Sequence, residues 1–452
     1  RAETRAGNPV QVGILEDQWF IDYSNPAWKE KTKRLVEQMP ITPERFKRNI
    51  VDAIDWLERR PCIRKRGLGT TFPFENENGE WMIEPLSDST IYMLFYLAIP
   101  TIRKYEFTPA DLDETFWDAA LMGKPISPND KRKLAVEEIF EQVLFWYPND
   151  LRHTAPAHVS NHISFFLFTH TLLFEERYWP KALSFSEMLI RNGVKMSKSK
   201  GNVIPLQHAV RDFGADLTRL FIVSSAGFER TADWRDNQVS QVQKKLQELE
   251  GVLREATAVR DSKKLSPAQE WLAQTLRVKL GEAYYPYEQK ELMTAAQKTF
   301  FETLNEVKRF KKVFTEDEKP ALRSVLKEWI TLLTPIAPFL GEEMWALAQL
   351  GGFASNQVME KPAGSPSQEM EARIAFVENV LGDVERVKKL LKGRKGTALY
   401  LYSPDAAETA WLQDSMELLK HHTNLEVKIN DAFDPLGKMQ KAQKGRPAMY
   451  VE

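Results

Sequence analysis

The segment KMSKSKGNVIPL, residues 195–206, sets Lys195, Lys198 and Lys200 among two serines and a glycine. It is too polar to be core, Gly201-Asn202 supplies a turn signal, and apolar residues follow. Such a loop can hold ammonium groups, hydroxyls and backbone donors against a polyphosphate. Lysine there acts as a flexible point cation, stabilising charge on a leaving pyrophosphate. The plain alternative is a solvated lysine-rich loop, and the flanking sequence has to decide between the two.

Upstream, PVQVGILEDQWFIDY (9–23) alternates apolar and polar residues and reads as one or two strands. Trp28 to Gln38 reads as a helix. So does PERFKRNIVDAIDWLERR, with Pro43 in its first turn, Thr42 as cap, and Phe46, Ile50, Ile54 and Leu57 as one apolar stripe. SDST (87–90) caps a helix from Ile91 to Lys104. Residues 108–145 read as short polar helices, an insertion rather than core. FWYPNDLR, ISFFLFTH and YWPKALSF are short apolar segments between turn signals, the pattern of a buried, largely parallel sheet with helical crossovers. The FFLF run (165–168) is expected to be a buried strand.

Downstream of Asp236 the pattern is helical. Four long amphipathic stretches, the last running from Lys319 to Leu350, predict an antiparallel bundle, with a fifth helix from Glu369 to Leu391. The tail reads β-α-β: GTALYLYSP, ETAWLQDSMELLKHH, NLEVKIN.

The 452 residues suggest about three domains, or two with insertions, at roughly 150 residues each. A hydrophobic content of 43% is enough for real cores and excludes wholesale disorder. Cys62 is alone, which excludes intramolecular disulfides and cysteine-rich zinc sites and suits a reducing, cytoplasmic setting. No apolar run reaches the roughly 18–20 residues of a membrane span. With 62 Lys+Arg against 63 Asp+Glu, any nucleic-acid contact must be local. Arg1 is no initiator and no secretory signal precedes the first motif, so a piece of something longer is expected.

Against this background KMSKSKGN matches, without a mismatch, the signature loop of class I aminoacyl-tRNA synthetases. DWLERRPCIRKRGLGT (55–70) resembles the D-W-x-x-S-R region of the members acting on aliphatic amino acids. RDFGADLTRLFIVSSAG (211–227) resembles the G-A-D-x-x-R helix that follows their signature loop. EDQWFIDY (16–23), EPLSDSTIYM (84–93), WYPNDLR (146–152), SNHISFFLFTH (160–170) and GRPAMYVE (445–452) resemble leucyl-tRNA synthetases of the archaeal and eukaryotic-cytosolic type.

The resemblance implies an α/β Rossmann-type fold, the second half of a catalytic domain, followed by an all-α bundle and a small α/β C-terminal module. The expected boundaries are 1–184 (with an inserted helical segment near 105–145), 185–236 for the signature-loop region, 237–380 for an anticodon-binding-like bundle, and 381–452. It implies ATP with Mg²⁺, leucine and tRNA(Leu) as substrates, and no zinc in this chain. Lys195 and Lys198 would stabilise the triphosphate, with Met196, Ser197 and Ser199 completing the ATP loop. Asn161 and His162 would line the nucleotide, and Trp81, Ser87, Asp88 and Ser89 the leucine side. Two basic groups would touch tRNA: Arg59, Arg60, Arg64, Lys65 and Arg66 at the acceptor end, and Lys388, Lys389, Lys392, Arg394, Lys395, Lys438, Lys441, Lys444 and Arg446 on the tRNA body.

The family also uses an H-x-G-H motif, and none of the seven histidines here stands in one. The chain alone is therefore expected to be inactive, and to need a front half carrying that motif and an editing domain. Inside the matched region the family's Gly and Asp beside the adenylate ribose are Ala155 and Ala157. Its N-G-H-like triplet is Ser186-Glu187-Met188, whose glutamate would repel phosphates, and a C-R-C-G zinc knuckle is replaced at Thr4 to Gly7. Two readings follow: a leucine–tRNA ligase, or a degenerate paralogue that binds tRNA without catalysis. His158 and His162 have the i, i+4 spacing of zinc ligands, but Val159 stands where a metalloprotease would have glutamate.

Overall fold

The computed structural model describes residues 2–3, 7–10, 16–65, 67–74, 81–197, 201–262, 264–390 and 396–452, the side chains of Lys388 and Leu390 excepted. The chain forms two compact units, residues 1–188 with 228–231, and 189–227 with 232–452.

The first unit opens with a short antiparallel pair, β1 (Ala2–Glu3) and β2 (Pro9–Val10), then β3 (Phe20–Asp22). Asn25 caps α1 (Pro26–Gln38) by accepting from the Trp28 amide, and Pro26 sits at its first turn. β4 (Ile41–Thr42) leads into α2 (Arg45–Trp56), whose Phe46, Ile50 and Ile54 are buried as the stripe predicts. Thr42 is not its cap. It is held in the sheet opposite Ser184, so the helix starts at Arg45, with Glu44 before it making no side-chain cap bond.

An antiparallel ribbon follows: β5 (Arg59–Pro61) on β3, and β6 (Ile63–Arg64) on β7 (Met82–Ile83). Next come α3 (Pro85–Asp88), α4 (Tyr92–Lys104), α5 (Glu114–Met122) and α6 (Lys133–Trp146). Although α5 and α6 read as an insertion, Phe116, Ala120, Ile139 and Val143 are fully buried in the same core as α2. The parallel sheet is small: β4, then β9 (Leu183–Phe185), then β8 (Arg152–Thr154), with all of β9 buried. Between β8 and β9 lies α7 (Ser164–Leu173), which contains FFLF. The expected strand is thus a helix. With Phe165 to Phe168 all buried, the segment has no polar face, and a helix without a polar face shows no 3.6-residue period to read.

The second unit begins with a hairpin, β10 (Ile190–Arg191) and β11 (Val194–Lys195), then α8 (Leu206–Phe213), α9 (Ala215–Ser225) and β12 (Asp233–Trp234), which pairs parallel with β10. The bundle is α10 (Asp236–Thr257), α11 (Pro267–Glu288), α12 (Leu292–Ala296) running through a π-helical turn into α13 (Thr303–Val313), α14 (Lys319–Leu333), α15 (Pro338–Leu347) and α16 (Gln368–Leu390). Ser266 and Gln269 close a capping box on α11. The stretch expected as one helix to Leu350 is broken into α14 and α15, because neither Pro335 nor Pro338 can donate a backbone hydrogen bond. Trp329, fully buried, anchors the centre and donates to the Thr299 carbonyl at 2.8 Å.

The tail is β13 (Ala398–Tyr402), α17 (Ala406–Asp414), α18 (Met416–Thr423), β14 (Glu426–Ile429), α19 (Lys438–Lys441) and β15 (Ala448–Val451). β14 lies parallel and β15 antiparallel to β13. Alternation along β13 sends Leu399 and Leu401 into the bundle core, and Tyr400 and Tyr402 to the other face. No described helix is long and apolar enough to cross a membrane.

Candidate functional site

The lysine loop grows from the β10–β11 hairpin. Asn192 and Gly193 both adopt positive φ, +50° and +74°, as a tight hairpin turn requires, and the Asp233 carboxylate accepts the Gly193 amide at 3.0 Å. The exposed Lys195 therefore leaves a short but anchored hairpin. Beyond it Asn202 staples the loop: its Oδ1 accepts the Ser197 amide at 2.8 Å and its Nδ2 donates to the Lys195 carbonyl at 3.1 Å. Gly201, at φ +64°, makes the return. Met196 and Ser197 are half-buried beneath. Lys198 and Ser199 lie outside the described residues. One asparagine thus ties Lys195 and Ser197 to the residue that follows Gly201.

A motif residue further on joins this segment to the bundle. Asp216, in the first turn of α9, accepts the Phe339 amide at 3.3 Å and the Leu340 amide at 2.6 Å, so it caps α15 from outside. Arg219, one turn later, donates to the Pro335 and Ile336 carbonyls at 2.8 and 2.9 Å. Together they satisfy both sides of the break between α14 and α15. The spacing G-A-D-x-x-R was legible in the sequence, but this partner was not.

In the first unit, Asn161 and His162 stand in a π-helical turn, Val159–Ile163. Asn161 is half-buried and donates to the Ala157 carbonyl at 3.3 Å. His162 is buried, with Nδ1 3.2 Å from the Ser89 hydroxyl and Nε2 accepting from Arg152 at 2.9 Å. Burial, then the charges of Arg152 and His158, push its pKa down to about 4, so the ring is neutral and donates through Nδ1. With both nitrogens engaged, His162 has no lone pair for zinc, despite its spacing from His158. Arg152 also bonds the Tyr92 hydroxyl, with its guanidinium 5.2 Å from that ring. Arg152 and Tyr92 are organising residues that motif matching did not single out, although both lie inside quoted motifs.

Of the expected leucine-side residues, Asp88 and Ser89 line an apolar cavity of about 830 Å³, shared with Tyr92, Phe95, Trp117 and Leu173. Trp81 and Ser87 are not brought there. Trp81 is buried under the Lys65 ammonium, 4.7 Å from its ring, and Ser87 bonds Glu84. Glu187, expected to repel phosphates, is ion-paired with Arg45 at 2.5 Å.

The basic residues divide. Arg59 is exposed and 3.6 Å from Asp22, Arg60 lies over the Trp56 ring, and Arg64 bonds the Leu68 carbonyl. Lys389, Lys441 and Arg446 are exposed, Lys438 is half-buried, and Lys444 is committed to Asp405 at 2.9 Å. Arg66, Lys392, Arg394 and Lys395 lie outside the described residues, and for Lys388 only the backbone is described. Among the described residues no group of three or more His, Cys, Asp or Glu could hold a metal.

Residues 137–254 match a family described as tRNA synthetases class I (M), and residues 269–402 the anticodon-binding domain of tRNA ligase. A leucine–tRNA ligase of Staphylothermus marinus is 35% identical over 448 residues, 97% of this chain and 45% of that protein. One from Pyrobaculum arsenaticum is 34% identical over 404 residues, 88% and 42% respectively. The chain thus spans less than half the length of the curated relatives it matches. Methionyl-tRNA synthetase of Mycobacterium tuberculosis, solved with methionyl-adenylate, shares the fold with a TM-score of 0.53 at 16% identity, over 80% of this chain and 70% of that one.

Proposed function

We propose, for a chain that belongs to the class I aminoacyl-tRNA synthetases and is homologous to their leucine–tRNA ligases, that it works in the ATP-dependent joining of leucine to tRNA(Leu). The observation that carries this is homology to leucine–tRNA ligases over 97% of the chain, signature loop included. The leucine carboxylate attacks the α-phosphate of ATP, forming leucyl-adenylate as the bond to pyrophosphate breaks. The leucyl group then passes to the 2′-hydroxyl of the terminal adenosine of tRNA, releasing AMP.

Lys195 and Lys198 stabilise charge on the triphosphate, with Met196, Ser197 and Ser199 shaping the loop that Asn202 holds closed. Mg²⁺ would enter with ATP as a substrate-bound ion and would offset phosphate charge beside Lys195 and Lys198. Asn161 and His162 belong to the nucleotide side, where the neutral His162 holds Ser89 and Arg152 in place. Asp88 and Ser89 belong to the leucine side. The exposed Arg59, Lys65, Lys389, Lys441 and Arg446 are candidates for tRNA phosphates. Lys444, already paired, contributes less. The activity requires a front half, and a cytoplasmic location suits a chain with one cysteine.

Ala155 and Ala157, where the family holds a glycine and an aspartate, favour a second reading: a tRNA-binding paralogue without catalysis. One experiment separates the two. The chain is combined with the N-terminal half of a leucine–tRNA ligase and leucine-dependent pyrophosphate exchange is measured. For the enzyme, Lys198→Ala should cut exchange at least about tenfold while tRNA affinity stays. Exchange unchanged by that substitution removes the lysine's role. Binding of tRNA(Leu) without any exchange establishes the paralogue.

A further inference from the structure

The β3–β7 ribbon exposes aromatic surface that the aminoacylation reading leaves unused. Trp19 stacks on Phe74, ring centroids 5.2 Å apart and planes 14° from parallel, while Phe72 meets both edge-on at 5.2 Å. Trp19 is 43% and Phe74 58% exposed. This is not a core spilling outward: the backbone pairings Cys62 to Trp19 and Phe72 to Trp81 hold the rings on a hydrogen-bonded framework. Single exposed apolar residues need no explanation, but two exposed rings stacked on each other over the half-buried Phe72 mark a binding surface.

The charge beside them indicates the occupant. The β3–β5 register sets Ile21 opposite Arg60, and Cys62 donates its amide to the Trp19 carbonyl, so Trp19 and Arg60 share one face as diagonal neighbours. Arg60 lies 4.7 Å over Trp56, itself 65% exposed. Arg59, Arg64 and Lys65 stand on the same ribbon. Three neighbouring acids are engaged locally, Asp22 with Ser24 and Arg59, Glu84 with Ser87 and Asp88 with Thr70, while the exposed Glu16 stands three residues before Trp19. Flat exposed rings alternating with guanidinium groups fit a polyanion carrying its own flat rings. Every base has a stacking face, and the cations follow the backbone.

We propose that Trp19, Phe72 and Phe74, flanked by Arg60, form a stacking platform for unpaired nucleotides of RNA. This rests on the reading of the chain as a tRNA ligase and specifies where single-stranded RNA lies on it. The rings supply affinity for bases of any sequence, and Arg60 supplies charge at the platform's edge.

The test is fluorescence anisotropy of the full chain with a short labelled single-stranded RNA, beside an abasic strand of the same length. Trp19→Ala and Phe74→Ala should each weaken binding about tenfold, Trp19→Phe should restore most of it, and the abasic strand should bind wild type as weakly as intact RNA binds the alanine variants. Unchanged melting temperatures verify the fold, and Phe74, the more exposed ring, is the safer variant. Equal affinity for intact and abasic strands, or alanine variants that bind like wild type, overturns the platform and leaves only electrostatics. If the alanine variants instead lose association with the N-terminal half of a leucine–tRNA ligase while keeping RNA affinity, the patch is a protein contact and the proposal falls. Leucine-dependent pyrophosphate exchange needs no RNA, so the platform and the ligase reading can fail separately.

Discussion

Replacing Asp216 tests whether α9 holds the joint between α14 and α15. The carboxylate accepts the amides of Phe339 and Leu340, and Leu340 is only 8% exposed. Asp216→Ala removes a helix cap, worth about 1 kcal/mol. It also leaves the Leu340 amide without a partner at a buried position, about 1–2 kcal/mol more. The sum is about 2–3 kcal/mol. For a unit of this size, at roughly 2–4 °C per kcal/mol, the melting temperature should fall by roughly 4–12 °C. Asp216→Asn keeps an acceptor oxygen in the same place and should cost less than half as much. Thermal unfolding followed by fluorescence of the buried Trp329 and Trp345 reads the stability, and hydrogen exchange at the Leu340 amide reads the cap directly. If Asn proves as damaging as Ala, charge rather than the hydrogen-bond pattern holds the joint. If Ala costs under about 0.5 kcal/mol, the clamp contributes nothing and the argument is wrong.

Three further outcomes follow from the same geometry. Gly281→Ala would normally favour a helix by about 1 kcal/mol, but its Cβ would lie 2.3 Å from the Pro362 carbonyl oxygen, so urea denaturation should register a loss of about 1–3 kcal/mol; a gain would contradict that close approach. Burial pushes His162 and His170 down to about 4, below their unfolded value near 6.5. The unfolded chain thus binds more protons in that interval, and stability of the first unit should be full above pH 6.5 and fall toward pH 4, by up to about 3 kcal/mol per histidine. An unfolding midpoint that stays level or rises on acidification across that window would exclude it. Asn202→Ala removes the Oδ1 that accepts the Ser197 amide and should raise the KM for ATP several-fold in the complemented enzyme while leaving the melting temperature within about 2 °C, since the staple lies on the surface; an unchanged KM would mean the staple does not matter to ATP binding.

What could be read in the sequence was whatever depends on near neighbours. The bundle helices announce themselves because each has one wet face, so their apolar residues recur at 3.6. The lysine loop announces itself because its chemistry lies in eight consecutive residues. FFLF failed for the converse reason: Phe165 to Phe168, a full turn of α7, are all buried, the periodicity is erased there, and β-propensity then outweighs everything else. The break between α14 and α15 was signalled by Pro335 and Pro338, yet an amphipathic pattern that resumes beyond a proline looks continuous.

The site was less legible than the fold because its charges act in pairs drawn from distant segments. Glu187, a few residues ahead of the signature loop in sequence, looked like a charge facing phosphates, but Arg45, 142 residues upstream, neutralises it. His162 has the spacing of a zinc ligand with His158, but Ser89 and Arg152 engage its two nitrogens. In each case the residue type was read correctly and its available chemistry was not, since that is set by what the neighbour leaves unsatisfied. The rule has a consequence for the two readings of the chain. Ala155 and Ala157 count as losses only if no other acceptor reaches the ribose hydroxyls, just as Glu187 counted as a charge only until its partner was found. Restoring aspartate at Ala157 in the complemented enzyme therefore discriminates between them. A paralogue that lost its pocket should gain exchange, whereas a working ligase with a substitute partner should gain none.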